Sequence, residues 1–150
     1  MKGTYTVVLD FRRSISIRIG KLGRFRLSDG LHLYTGSALG KGAVSLEGRI
    51  SRHNRRSKTL RWHIDYLSSS KYCKVGGVVY VVSDRRLECK MNRLIIRSIH
   101  ATPAIHNFGS SDCDCVSHLL SSPSSLSLED VLSELRVLYT RFGRTSIRRM

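Results

Sequence analysis

The spacing of apolar residues changes along the chain, from a period of two near the start to a helical period beyond the first third. Residues 4–9 are rich in Thr, Val and Tyr, the profile of a strand. Residues 14–19 alternate strictly, with Ile15, Ile17 and Ile19 on one side and Ser16 and Arg18 on the other, which predicts a half-buried strand. Asp10-Phe11-Arg12-Arg13 joins these two runs, so they are expected to pair as a hairpin. Gly20-Lys21-Leu22-Gly23 reads as a tight turn into a short segment around residues 24–27. Ser28-Asp29-Gly30 reads as another turn, before a strand over 31–35. The first 35 residues therefore predict an antiparallel meander.

A glycine-rich loop over residues 36–42 opens the helical part. A helix is predicted over about 43–56, with Val44, Leu46 and Ile50 on or near one face, and a shorter one over 60–67, where Leu60, Ile64 and Leu67 recur at helical spacing. Residues 74–82 carry five valines and read as a central strand. Over 85–100, Leu87, Met91, Leu94, Ile95 and Ile99 form one continuous stripe of a helix that Thr102-Pro103 ends. An irregular segment, a serine-rich linker over 121–125 and a last amphipathic helix over 127–142 follow; Ser127 is placed to cap that helix, with Glu129 and Asp130 in its first turn. Residues 144–150 read as a short basic tail. The pattern as a whole predicts an α/β (α+β) fold: a small mixed, mainly antiparallel sheet flanked by helices. The main domain is expected over 1–120, with 121–150 packed on it or extending it.

Charge narrows the function. The 150 residues hold 26 Lys and Arg against 11 Asp and Glu, a formal net charge of +15. Such an excess repels itself in a compact chain unless a polyanion offsets it, and nucleic acid is the commonest polyanion partner, DNA being preferred here to RNA. No apolar run approaches the length of a membrane span, and no leader precedes the first strand, so a cytoplasmic protein with no membrane partner is expected. Cys73, Cys89, Cys113 and Cys115 are then expected as reduced thiols. Cys113, Cys115 and His118 could begin a zinc site, with Cys89, Cys73 or His106 completing it through the fold. Their close spacing favours buried or loop cysteines over metal ligands.

Two triplets bracket the predicted meander, Gly3-Thr4-Tyr5 and Tyr34-Thr35-Gly36. Arg49 follows on the next helix, with His53 one turn further along the same face, and Glu88 opens the helix after the valine-rich strand. In that order the set resembles the GIY-YIG endonuclease superfamily, and its local text is most similar to the Uri-type archaeal branch. The matching stretches are Gly20-Lys21-Leu22-Gly23, Tyr34 to Gly40, Trp62-His63-Ile64-Asp65-Tyr66-Leu67, Glu88-Cys89 and Phe108-Gly109-Ser110-Ser111-Asp112-Cys113.

The resemblance implies a GIY-YIG-like fold and metal-dependent hydrolysis of nucleic-acid phosphodiesters. Glu88 would hold one divalent cation, Mg²⁺ or Mn²⁺ rather than zinc. Arg49 would bind the scissile phosphate, Tyr34 or Tyr5 would orient or deprotonate the attacking water, and His53 would share the proton work. Cations around the tyrosines are expected to lower their pKa toward a useful value. Lys21, Lys41, Arg52, Arg55 and Arg56 are the expected backbone contacts. Ser37, where many members of the superfamily carry Lys, and His63, Asn107 and Asp112 complete the candidates, Asn107 standing nearest to the superfamily's late Asn. The alternative reading is a non-catalytic basic module that keeps the fold and binds nucleic acid without cutting it.

Overall fold

The computed structural model describes residues 1–150. Strand β1 (Gly3–Phe11) lies at the centre of a six-stranded sheet. It pairs antiparallel on one side with β4 (Gly30–Ala38) and on the other with β5 (Cys73–Val82). Being covered on both faces, β1 is buried almost throughout, and its alternation sorts two cores. Tyr5, Val7, Leu9 and Phe11 enter one, and Val8 enters the other. Helices α1 (Leu46–Asn54) and α2 (His63–Ser68) contribute Leu46, Ile50, Ile64 and Leu67 to the first core. Helices α3 (Glu88–Ile99) and α4 (Leu128–Tyr139) supply the stripes Met91, Ile95, Ile99 and Val131, Leu132, Leu135, Leu138 to the second. The result is an α+β fold with a mainly antiparallel sheet flanked by four helices.

The sheet order is β6 (Thr102–Pro103), β7 (Leu119–Ser121), β4, β1, β5 and β8 (Thr145–Arg149). Two local expectations are corrected. The runs β1 and β2 (Ile15–Ile19) do not pair with each other. Instead β2 forms a separate two-stranded hairpin with β3 (Gly23–Leu27), in register from Ile15↔Leu27 to Ile19↔Gly23. The reason is burial: β1 lies between two helical layers, so the strands on its two edges, β4 and β5, are themselves long and largely buried, whereas β2 exposes every second residue. The basic tail is likewise an edge strand, β8, which covers the outer ladder of β5 from Gly77 to Val81.

Helix starts follow side-chain chemistry. Ser45 caps α1 by accepting from the Gly48 amide at 3.1 Å, so the helix begins three residues later than the apolar pattern suggests, after a single 3₁₀ turn over Gly42–Val44. Ser127 and Asp130 form a reciprocal capping box at α4, with bonds of 3.1 and 2.9 Å.

Candidate active site

The β1–β4 ladder sets Gly3, Thr4 and Tyr5 opposite Ala38, Ser37 and Gly36, and Val7 opposite Tyr34. The two tyrosines thus become diagonal neighbours on one face, with ring centroids 6.5 Å apart and planes at 56°. The glycine of the second triplet has a steric reason. A Cβ on Gly36 would lie 2.9 Å from the Tyr5 hydroxyl and 3.3 Å from the Tyr34 ring. Tyr5 is 1% exposed and forms the back wall, while Tyr34 is partly open. Tyr34 is flanked edge-on by Phe108, at a centroid distance of 5.8 Å.

Helix α1 brings two more groups to this wall. His53 Nε2 lies 2.8 Å from the Tyr5 hydroxyl and is buried with it, and its Nδ1 has no partner. One turn back, the Arg49 guanidinium stacks 4.6 Å over the Trp62 ring, and its Nε is buried without a hydrogen bond. Stacking fixes the plane of the fork and leaves its donors free for an anion. Arg52 lies over the same ring at 5.0 Å but is already committed: Nη2 donates to Asp65 Oδ2 at 2.8 Å and Nε to Oδ1 at 3.3 Å.

A solvent-open cavity of ≈ 420 Å³ forms in front of Tyr5 and Tyr34. Arg49, Arg61 and Arg86 line it together with Glu88 and Asp112. Glu88, the first residue of α3, is 13% exposed at its side chain. The Ser37 hydroxyl donates to its Oε2, and Arg86 Nη1 lies 3.4 Å from Oε1 and 3.6 Å from the Asp112 carboxylate.

Burial dominates the titration of this wall. It pushes the Tyr34 phenol up to about 12, and Tyr5 is raised further by burial and by Tyr34. Arg49 pulls both phenols the other way, in the expected direction, but desolvation outweighs it. Burial, reinforced by Lys58, drops the His53 imidazole to about 3. At neutral pH both phenols carry their proton and His53 is neutral. The expectation of phenols activated by surrounding cations is therefore not met in the free protein.

Of the residues singled out in the sequence, Tyr5, Tyr34, Arg49 and Glu88 meet at the cavity, with Ser37, His63 and Asp112 on its lining. His53 stands behind Tyr5. Asn107 lies off the cavity at a left-handed turn (φ 63°), where its amide donates to the Val116 carbonyl. Lys21, Lys41 and Arg55 are exposed away from the cavity. Arg56 donates to the Ser70 and Cys73 carbonyls. Arg61, Trp62 and Arg86 line the cavity without having been singled out, and His118, noted in the sequence only beside Cys113 and Cys115, lines it too. Trp62 stands inside a stretch already noted and Arg86 two residues before Glu88, so proximity to the motifs is the signal that could have found them. Against this wall, Cys89, Cys113, Cys115 and His118 bring four ligand atoms within 4.8 Å of one another.

Fold and site together define a small α+β protein with an open, arginine-lined cleft, backed by paired tyrosines and carrying carboxylates on its lining. The chain belongs to the family described as domain of unknown function DUF123, whose model matches residues 4–140. Neither the curated proteins nor the solved structures contain a match to the chain. No helix is long and apolar enough to cross a membrane.

Proposed function

We propose that this protein is a metal-dependent endonuclease of the GIY-YIG type, of the Uri-type branch, hydrolysing phosphodiester bonds of DNA in preference to RNA. The observation that carries the reading is the convergence of Tyr34, Arg49 and Glu88 on one open cleft, from a strand and two helices, with Tyr5 directly behind. The donor set fits a hard divalent cation: a Glu88 carboxylate at the cleft wall, with the Asp112 carboxylate nearby and open access for water. Bound there, Mg²⁺ or Mn²⁺ would offset charge developing on the phosphate oxygens and acidify adjacent water.

The chain's own residues account for the rest. Arg49, held flat by Trp62, presents its free donors to the scissile phosphate. Tyr34, the more open phenol, accepts a hydrogen bond from the attacking water and fixes its direction. Tyr5 and His53 are positioning residues that lock the wall against which Tyr34 rests. Arg61 and Arg86 supply further positive charge along the cleft.

Glu88→Ala is expected to lower metal-stimulated cleavage by about 100-fold or more while nucleic-acid binding persists. Equal cutting by Glu88→Ala and the parent would contradict the proposal. The second reading, a binding module without turnover, is favoured by the Ser37 hydroxyl occupying a Glu88 oxygen and by both phenols holding their protons. It predicts steeply salt-sensitive binding with no metal dependence.

A further inference from the structure

The group that the cleft reading leaves unused is the cluster of Cys89, Cys113, Cys115 and His118. Cys89 sits in the first turn of α3, and the other three come from the irregular loop between β6 and β7. Their one-apart and three-apart spacing argues against a metal when read along the chain. In space it does not, because the helix supplies the fourth donor.

Distances carry the case. His118 Nε2 lies 3.6 Å from Cys89 Sγ and 3.5 Å from Cys113 Sγ, and all four donor atoms fall within 4.8 Å of one another. Bonds of about 2.3 Å to sulfur and about 2.05 Å to nitrogen, set tetrahedrally, place S and N about 3.5 Å apart and two sulfurs about 3.8 Å apart. A thiol–imidazole hydrogen bond would explain one such contact, not four soft donors converging on one point. Nor is a disulfide present: all four cysteines of the chain are free. The imidazole is 3% exposed and the thiols are half-buried, as in a site closed on the protein side.

We infer that Cys89, Cys113, Cys115 and His118 form a structural zinc site that staples the β6–β7 loop to the first turn of α3. Four protein donors leave no open position, so the ion holds structure and does no chemistry. The loop has reason to need it. Its backbone bonds are few, among them Asn107 N to Val116 O and His118 N to Phe108 O, and only Ile105 and Phe108 anchor its first half in the core. The site also sits where it matters: Cys89 follows Glu88 directly, and Cys113 follows Asp112, so the staple fixes both carboxylates of the cleft wall.

The test reads metal, not cleavage, and so stands whether or not the cleft cuts nucleic acid. The full chain, purified under reducing conditions, is expected to hold about one zinc. After stripping, anaerobic titration with Co²⁺ should give thiolate charge-transfer bands and the intense visible bands of tetrahedral cobalt, saturating at about one equivalent and bleached by Zn²⁺. Cys113→Ser and Cys115→Ser should each lose most of the metal, whereas Cys73→Ser, buried in the core away from the cluster, should keep it. Should the serine variants fail to fold, the parent's cobalt spectrum and stoichiometry decide. A weak octahedral spectrum, iron in place of zinc, well under one equivalent bound, or equal loss in Cys73→Ser would overturn the site.

Discussion

His53 is buried against Tyr5, its Nε2 2.8 Å from the phenol, and burial drops its pKa from 6.5 to about 3. The folded chain therefore refuses a proton that the unfolded chain accepts below pH 6.5. Above that pH the residue contributes no pH dependence; between 6.5 and about 3 it removes stability as pH falls, at about 1.4 kcal/mol per pH unit. His32 and His118 are lowered by burial as well, so the parent's slope is a sum over several residues. Denaturant unfolding of the parent and His53→Gln at pH 7 and pH 5 isolates the His53 share, and the variant is expected to lose less stability across that interval. Equal losses would show that the imidazole is not held neutral. At this scale the sequence was informative about identity and silent about state. Tyr5, Tyr34, Arg49 and Glu88 could be named from their order. That the phenols would be raised rather than lowered depends on desolvation behind Gly36, which spacing does not report.

Elements were legible where burial repeats with one period. The valine run of β5 and the stripes of α3 and α4 stand where the pattern put them. Strand partners were less legible, because pairing is settled by which strands can lie buried between the two helical layers beside β1; hence β4 and β5 take its two edges and β2 turns away to β3. The short helix α2 owes its start to Asp65, which accepts from the Arg61 and Trp62 amides, both at 2.9 Å, while holding Arg52. The Asp65 side chain is wholly buried and that of Arg52 is 12% exposed. Asp65→Asn removes the countercharge from a largely desolvated guanidinium, and a loss of about 3 kcal/mol in unfolding free energy is expected. A loss under about 1 kcal/mol would mean that Arg52 finds water or another partner. Because Arg61 and Trp62 line the cleft, the same variant should weaken nucleic-acid binding.

Across the whole molecule the +15 charge is not absorbed internally, and part of the surface gathers it at a cost. In the β2–β3 hairpin, Arg18 stands directly opposite Arg24, both exposed, with Arg26 alongside on the same face. Like charges facing each other across a ladder destabilise it unless an anion lies between them. The pair is expected to contact phosphate: Arg18→Ser with Arg24→Ser should leave the fold as stable or more so and flatten the plot of log affinity against log salt by about 2. An unchanged slope would take the hairpin out of the nucleic-acid surface. The central claim is that the cleft cuts phosphodiesters, and cleavage by the pure chain tests it most directly. Incubated with duplex, branched and single-stranded DNA and with RNA, it should make internal cuts that require added Mg²⁺ or Mn²⁺ and that Tyr34→Phe makes at least about 100-fold more slowly. No cut in any substrate with either ion, or undiminished cutting by Tyr34→Phe, would contradict it.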